Sequence, residues 1–323
     1  MSRSGGVMVR GFALAWRWGR HLPGPVVRAA TTLAADITWL RHGTGVRRLE
    51  SNLRRVRPDL APAELRRLCR AGMRSYLRYY GEAFTLPGFS PQQIAARVRV
   101  VGRENVQQHL DAGRQVVMAL GHLGNWDLAG AWATADLAPV TTVAERLEPE
   151  ELFQEYVGFR EGLGMRILPH TGGSDVFRAL VRASRTGPGV IPLLADRDLT
   201  ARGVEVQLFG ETARVAAGPA ALTVMTGAPL CPVGISYERL RGERRRRAGT
   251  PWGVVVEFFP ALEIPEELPH RDRVQAVSQA WVDRVADVIA AHPQDWHMLQ
   301  RVFVADLDPG RYAATVATAT GQP

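Results

Sequence analysis

The chain has 323 residues, of which 46% are hydrophobic and 22% are charged. It can therefore bury a large core, and it is neither a disordered nor a collagen-like chain. Its 40 basic residues, all of them arginine, exceed the 32 acidic residues and give a formal net charge of +8. That excess predicts an anionic partner, and nucleic acid, an anionic membrane surface and a phosphorylated ligand are the alternatives.

The N-terminal region, residues 1–60, is rich in arginine and contains Trp16, Trp18 and Trp39. This combination suits helices that lie at a membrane–water interface, and the alternative is an ordinary helix pair packed on the core. Residues 63–84 follow, with apolar side chains at helical spacing and arginines mostly between them, which predicts a basic amphipathic helix.

A stretch of 23 uncharged residues between Arg214 and Glu238 is long enough to cross a bilayer. Glycines and prolines interrupt it repeatedly, so it predicts a helix followed by a strand, and any membrane contact should be peripheral. The two cysteines, Cys69 and Cys231, have neither the spacing of a zinc site nor that of a disulfide framework. A reducing compartment is therefore favoured.

From about residue 98 the pattern alternates between short apolar runs and helical periodicity. This predicts an α/β fold with a mostly parallel central sheet flanked by helices. The predicted organisation is interfacial helices over 1–60, an α/β core over 61–305 and a disordered tail over 306–323. Residues 241–247, RGERRRR, are predicted to form an exposed loop between strands.

Catalytic residues in open α/β sheets lie beyond the carboxyl ends of strands. The turn after the strand QVVMAL reads GHLGNWD, so His122 and Asp127 can meet if the histidine is on the turn and the acid begins the next helix. The same His-x4-Asp spacing recurs at His170 and Asp175, so spacing alone assigns no role. An acid at a helix start, favoured by the helix dipole, is the alternative for Asp127.

Three blocks resemble one known family. GHLGNWD is similar to the His-x4-Asp/Glu block of the bacterial lipid A lauroyl/myristoyl acyltransferases, and LLADRDLTARGVEVQLFGETARVAAGPA and HPQDWHMLQRVF resemble two later blocks. Together they span about residues 60–305. The ADRDL and GVEV runs look most similar to the actinobacterial phosphatidylinositol mannoside acyltransferases.

The resemblance implies an enzyme that moves a long acyl chain, typically palmitoyl, from acyl-CoA to the mannose 6-hydroxyl of a phosphatidylinositol mannoside. It also implies a glycerolipid acyltransferase-like fold, acyl-CoA as the co-substrate with no other cofactor, and a peripheral location on the cytoplasmic face of the plasma membrane. Another glycolipid or a lysophospholipid is the alternative acceptor.

The implied mechanism needs a base for the acceptor hydroxyl, for which His122 is suited, and an acid that fixes the imidazole. Asp127 and Glu205 are the two candidates for that acid, and an outward-facing strand position is the alternative for Glu205. For the donor, the resemblance points to Arg160, whose guanidinium suits CoA phosphates. Asp196, Arg197 and Asp198 follow a predicted strand end and are assigned to the same donor site.

Three rival functions differ in class. A nucleic-acid-binding protein would explain the charge, but no RRM, KH or helix-turn-helix signature is present. An α/β-hydrolase lacks its GxSxG motif here. Hydrolysis of acyl-CoA by the same histidine stays open, since water can replace the acceptor. No metal is expected, since His292 and His297 lack the HExxH pattern.

Overall fold

A computed structural model of the chain describes residues 22–145, 150–170, 174–200, 202–310 and 312–313. The predictions for the first 21 residues, and for the tail from residue 314 onward, lie outside the described residues. Eleven described helices and nine strands confirm the predicted α/β class.

A five-stranded sheet forms the centre, with strand order β1-β9-β8-β2-β5. The β1–β9, β8–β2 and β2–β5 pairs are parallel and only β8–β9 is antiparallel, so the predicted mostly parallel sheet is confirmed. A parallel β3–β4 pair adjoins the sheet through a bridge from Val140 to Val190. The strands are β1 Val98–Val101, β2 Gln115–Leu120, β3 Thr141–Glu145, β4 Arg166–His170, β5 Gly189–Leu194, β6 Val204–Leu208, β7 Glu211–Val215, β8 Leu230–Arg239 and β9 Trp252–Phe258.

The helices surround this sheet and alternate with its strands. They are α1 Gly24–Arg41, α2 Thr44–Val56, α3 Pro62–Thr85, α4 Pro91–Arg97, α5 Glu104–Asp111, α6 Trp126–Asp136, α7 Glu150–Gly162, α8 Ser174–Ala183, α9 Gly218–Thr226, α10 Gly242–Ala248 and α11 His270–Ala291. Every residue of β2 is buried, as expected for a central strand covered on both faces.

Helices α1, α2 and α3 form a separate cluster at the N-terminal end of the described chain. Its small core includes Ala35, Leu49, Leu53, Leu65 and Met73, all of them fully or almost fully buried. Within the described ranges, no helix is both long enough and apolar enough to cross a bilayer. The uncharged stretch before Glu238 forms α9 and β8, which confirms the predicted helix followed by a strand.

An antiparallel hairpin, β6 and β7, leaves the main sheet and is held by α11. The side-chain amide of Gln279 donates to the backbone oxygen of Gln207 at 2.9 Å and accepts from its backbone nitrogen at 2.8 Å. A helix therefore supplies the hydrogen bonds that a neighbouring strand would give to this edge.

The arginine-rich run at 241–247 differs from its prediction. It is a short helix, α10, and not a loop, although most of its arginines are exposed as expected. Glu243 pairs with Arg246 one turn later, Ala248 is buried, and Gly249 ends the helix in the left-handed conformation. These local contacts stabilise a helix of about two turns in a segment whose charge pattern indicates a loop.

Candidate active site

The candidate catalytic histidine, His122, lies two residues beyond the end of β2. Because β2 and β5 are parallel neighbours with Leu120 opposite Leu194, the residue two positions beyond β5 lies beside it. That residue is Asp196. The adjacency of two strand ends, and not the spacing along one helix, brings a carboxylate to the histidine.

His122 and Asp196 form a tight pair. The ring Nδ1 of His122 lies 2.6 Å from Oδ1 of Asp196, and the backbone N–H of His122 donates to Oδ2 at 2.9 Å. The indole N–H of Trp296 also donates to Oδ2, at 3.0 Å. An ionised carboxylate accepts at Nδ1, so the neutral imidazole carries its proton there and leaves Nε2 unprotonated. This is the tautomer that a general base requires.

The electrostatics of the pair agree with its geometry. Burial disfavours the imidazolium, but attraction and hydrogen bonding from Asp196 outweigh it, so the pKa of His122 is raised. Burial likewise opposes the Asp196 carboxylate, and the opposing effects of His122 and Trp296 hold its pKa below the ordinary value. Asp196 is thus ionised and ready to stabilise a proton on His122.

Two glycines and an asparagine build the turn that carries His122. A Cβ on Gly121 would lie 3.0 Å from Oδ2 of Asp196, so a side chain there would crowd the carboxylate. Gly124 has φ +57° and packs on the backbone of Ile235, where a Cβ would approach to 2.9 Å. Asn125 then caps α6 by accepting from the backbone N–H of Leu128.

Asp127, predicted to assist His122, makes different contacts. It lies in the first turn of α6, fully buried, and its Oδ1 accepts from Nε of Arg160 at 2.8 Å. Its Oδ2 accepts from the hydroxyl of Tyr79 at 2.7 Å. The structure therefore does not bring this carboxylate to His122, because the side chain points toward α3 and α7 and pairs there with a buried cation. A supporting part for Asp127 in catalysis stays a prediction.

Arg160 is the other half of that buried pair. Its guanidinium also donates to the hydroxyl of Tyr156 at 3.1 Å and lies over that ring. Burial opposes its charge, but attraction to Asp127 more than compensates, so the pKa of Arg160 is raised. Its binding of CoA phosphates stays a prediction, now alongside a structural role in holding Asp127.

Glu205, the second predicted partner, is on the hairpin. It lies opposite Arg214 in the β6–β7 register, pairs with it at 3.2 Å, and accepts from the hydroxyl of Tyr312. Its side chain is 43% exposed. The structure thus gives Glu205 the outward strand position that was the alternative, and its side chain pairs with Arg214 and not with His122. A supporting part for Glu205 in catalysis stays a prediction.

Asp196, Arg197 and Asp198, which follow β5, make different contacts. Asp196 faces His122, whereas Asp198 accepts from the backbone of Thr200 and shapes the loop. Arg197 is exposed, lines the large cavity beside His122, and donates to the backbone of Arg301 at 3.1 Å. Of these three residues, which were predicted to bind the acyl donor, Arg197 is the one with an exposed positive charge at the cavity.

A cavity of about 1720 Å³ opens beside His122 and extends across the sheet. It exceeds the roughly 300–1,000 Å³ of an ordinary small-molecule pocket. Small residues of α6, at Ala129, Gly130 and Ala133, leave room on one side of it. Most of the remaining wall is apolar and includes Met118, Leu120, Trp132, Val140, Met165, Val190, Leu193, Val233, Val256 and Phe258.

The wall nearest to His122 is aromatic. The ring of Trp126 lies 5.6 Å from that of His122, 4.1 Å from Tyr79 and 6.1 Å from His297. Burial lowers the pKa of His297 to about 3, so this ring is neutral. The indole nitrogen of Trp126 and Nδ1 of His297 are both buried with no hydrogen-bond partner among the described residues.

Several of these contacts follow from the C-terminal HPQDWH segment, to which sequence reasoning gave no catalytic part. Trp296 bonds Asp196, the backbone N–H of His297 donates to the oxygen of His122 at 2.8 Å, and Ser75 bonds the His297 ring at 3.0 Å. The sequence feature that could have pointed to this segment is its tryptophan and histidines close to a proline. In the described ranges, no group of His, Cys, Asp and Glu side chains is placed to hold a metal ion.

Comparison with known proteins gives matches over almost the whole chain. A family model described as bacterial lipid A biosynthesis acyltransferase matches residues 8–304. The phosphatidylinositol mannoside acyltransferase of Mycolicibacterium smegmatis is 39% identical over 304 residues, which cover 94% of this chain and 93% of that protein. A protein of the same description from Mycobacterium tuberculosis (strain CDC 1551 / Oshkosh) is 41% identical over 308 residues, covering 94% and 90%.

Proposed function

Since the chain belongs to the bacterial lipid A biosynthesis acyltransferase family, we propose that it transfers a long acyl chain, palmitoyl in the first instance, from acyl-CoA to the mannose 6-hydroxyl of a phosphatidylinositol mannoside. The match confirms the predicted family. The observation that supports the reaction most directly is the His122–Asp196 pair at the mouth of a large apolar cavity.

In this proposal Nε2 of His122 is the general base. It removes the proton of the acceptor hydroxyl as the oxygen attacks the thioester carbonyl, and Asp196 stabilises the imidazolium that forms. The tetrahedral intermediate then breaks the carbon–sulfur bond. The leaving CoA thiolate takes the proton from His122, which restores the neutral base, and the acyl group remains on the sugar oxygen as an ester.

The apolar part of the cavity is the proposed acyl site. Burying each methylene of a chain is worth about 0.8 kcal/mol, so a long donor gains binding energy that a short one lacks. Ala129 and Ala133 of α6 line the wall, and their small side chains leave space for an acyl chain that larger side chains would exclude.

The aromatic wall is the proposed site for the acceptor sugar. The hydroxyls of a sugar need hydrogen-bond partners, and Trp126 Nε1 and His297 Nδ1 are buried atoms that lack one among the described residues. The aromatic rings beside them offer flat apolar faces to the sugar ring. Both atoms lie near His122, where the reacting hydroxyl must be.

Arg197 is the proposed contact for the phosphates of the donor, since it is an exposed guanidinium lining the cavity. Arg160 stays a second candidate for that role. The two differ in one respect: Arg160 is already paired with a buried carboxylate, so its removal changes the folded protein as well as the site.

The proposed membrane contact uses α1. An exposed apolar stripe follows its surface, and the large side chains in that stripe are between 40% and 69% exposed: Leu22, Val26, Leu33, Ile37 and Leu40. Arginines accompany it on α1 and α3. We expect the stripe to rest on the anionic lipid surface at the cytoplasmic face of the plasma membrane, where the lipid acceptor is held.

The test is to incubate the purified protein with radiolabelled palmitoyl-CoA and a panel of lipids. The panel contains phosphatidylinositol, its mono- and dimannosides and a lysophospholipid, and the His122→Ala protein is the control. Label in the mannosides alone supports the proposal. Label mainly in the lysophospholipid contradicts the acceptor, and release of free palmitate without any lipid product favours thioester hydrolysis.

A further inference from the structure

A second pocket, of about 290 Å³, lies on the side of α3 opposite to the large cavity. Helical spacing explains the separation: Tyr76 and Tyr80 face the large cavity, whereas arginines three and four residues apart face the other way. Those arginines are Arg67, Arg70, Arg74 and Arg78. The proposed reaction uses none of them.

The pocket has an aromatic base, formed by Trp252 and Tyr237, and the guanidinium of Arg78 lies over it. Arg78 lies 3.6 Å from the centre of the Trp252 ring and 4.6 Å from that of Tyr237, and Arg239 lies 4.7 Å from the same Trp252 ring. An arginine stacked by its face keeps the N–H donors at its edge for an anion. Such stacking fixes the planar fork that phosphate recognition needs.

Acidic residues near the pocket do not balance the four arginines. One carboxylate, Asp36 on α1, takes bidentate bonds from both Arg70 and Arg74. The carboxylate in the pocket wall, Asp295, is already used, since it accepts from the Ser75 hydroxyl and from the backbone N–H of Tyr237. Arg67 has a weak, exposed ion pair with Glu64 at 3.9 Å. Among the described residues, the four guanidiniums of the pocket therefore still outnumber the three neighbouring carboxylates.

The positive field continues beyond the pocket. Burial is the main cause of a lowered pKa for the neighbouring Arg28, and repulsion from Arg245, Arg239 and Arg97 adds to it, against the attraction of Glu82. Guanidiniums held this close to one another favour an anion that can contact several of them.

From this geometry we propose that the pocket binds a phosphate mono- or diester through Arg67 and Arg78, with Arg70 and Arg74 at its margin. Its volume suits a phosphate with a small attached group and is below the lower end of the range for drug-sized ligands. The site is separate from the catalytic cavity, and the proposal does not depend on the proposed reaction. A phospholipid headgroup and a soluble phosphate are the two sources of this chemistry.

The experiment measures binding without any acyl donor. Inorganic phosphate is titrated by calorimetry at low salt, and vesicles of phosphatidylcholine with phosphatidic acid are tested by co-sedimentation. The variants are Arg78→Gln, Arg78→Lys and Arg67→Gln. The control is Arg178→Gln, which removes an exposed arginine that lies outside the pocket and pairs with Asp175.

We expect roughly fivefold weaker phosphate binding for Arg78→Gln and for Arg67→Gln, and no change for Arg178→Gln. Arg78→Lys should lose nearly as much as Arg78→Gln, because an ammonium keeps the charge but lacks the stacked fork. A parallel loss of vesicle binding identifies a lipid headgroup as the source. A loss for phosphate alone identifies a soluble phosphate.

Two results would overturn the site. One is wild-type phosphate affinity in both glutamine variants, and the other is wild-type affinity in Arg78→Lys, which would indicate attraction to charge without a built site. Arg67 is exposed, so its variant keeps the test decisive if the Arg78 variants fail to fold. Transferase activity is measured separately, so failure of this proposal leaves the proposed function intact.

Discussion

At the scale of single residues, the His122–Asp196 pair makes the sharpest prediction. A general base must be neutral, so turnover should rise with pH through the raised pKa of His122 and then level off. Asp196→Asn removes the attraction that raises this pKa. We therefore expect its pH–rate inflection to move to lower pH and its maximal rate to fall roughly 10²- to 10⁴-fold.

The measurement is kcat/KM for palmitoyl-CoA transfer against pH for wild type, Asp196→Asn and His122→Ala. His270→Ala is the matched control, since His270 is exposed at the start of α11 and lies away from the cavity. It should behave as wild type. An unchanged inflection in Asp196→Asn would remove Asp196 as the partner of His122.

The buried Asp127–Arg160 pair predicts a change in stability. Asp127→Ala leaves the Arg160 guanidinium buried without its carboxylate, and breaking a buried pair in this way costs about 3–5 kcal/mol. Urea unfolding should show that loss for Asp127→Ala and for Arg160→Ala. His122→Ala should lose less, because the His122 side chain is part exposed and Asp196 keeps its bonds from the backbone N–H of residue 122 and from Trp296.

A combined variant separates pairing from catalysis. Asp127→Leu with Arg160→Met removes both charges and should recover part of the lost stability, since apolar side chains can replace a buried pair. If Arg160 also binds CoA phosphates, this variant should still show a raised KM for acyl-CoA. Full stability in the Asp127→Ala protein would contradict the structural role.

Sequence reasoning identified His122 but not its partner, and the reason is physical. The histidine follows an apolar strand within a distinctive turn, and both are local features of the chain. Its acid lies 74 residues away and reaches it because β2 and β5 are parallel neighbours in a particular register. No spacing along the chain encodes which strands pair, so the sequence offered Asp127 and Glu205 as the candidate acids, and the structure instead places Asp196 beside the histidine.

At the scale of secondary-structure elements, the local pattern of apolar and charged residues predicts most helices and strands well. The apolar periodicity over 270–291 is typical of a helix and coincides with α11, which starts after Pro269 and buries valines that recur at helical spacing. Strands β2 and β5 were equally clear as short apolar runs. The exception, α10, depends on one ion pair and one buried alanine, which a run of charges conceals.

If the cavity is the acyl site, as proposed, α6 limits the length of the chain that it accepts. Its Ala133 lines the cavity and is buried, so Ala133→Phe should fill space that the end of a long chain needs. Each methylene excluded loses about 0.8 kcal/mol of binding. We expect kcat/KM to fall much more for palmitoyl-CoA than for octanoyl-CoA, measured over a series of donor lengths.

A control for that result is Ala34→Phe, on α1 and exposed away from the cavity lining. It should leave the dependence on donor length unchanged. Equal losses for every donor in Ala133→Phe would indicate a general disturbance of α6, and an unchanged profile would exclude this part of the cavity as the acyl site.

At the scale of the whole molecule, the proposed reaction joins a donor from water to an acceptor in a lipid layer. The cavity must therefore be reached while the protein rests on that layer. Helix α1 packs on α3, whose aromatic face lines the cavity, so an exposed stripe on α1 is coupled mechanically to the active site. An exposed apolar stripe with arginines beside it is the kind of surface that rests on an anionic lipid layer.

This arrangement predicts how the protein binds vesicles. Leu33 and Leu40 are 62% and 69% exposed, so Leu33→Ser with Leu40→Ser removes apolar surface from the stripe without opening a core. The affinity for phosphatidylinositol-containing vesicles, measured by co-sedimentation, should fall roughly a hundredfold, because each of the two leucines that enter the lipid contributes about 1.5 kcal/mol or more. Added salt should weaken the wild type as well, since it screens arginines worth about 1 kcal/mol each near an anionic surface. Met225→Ser, which removes an apolar side chain on α9 that is 52% exposed, should bind like wild type. A similar loss in that control would mean that exposed apolar residues act anywhere on the molecule, and α1 would then have no special part in docking.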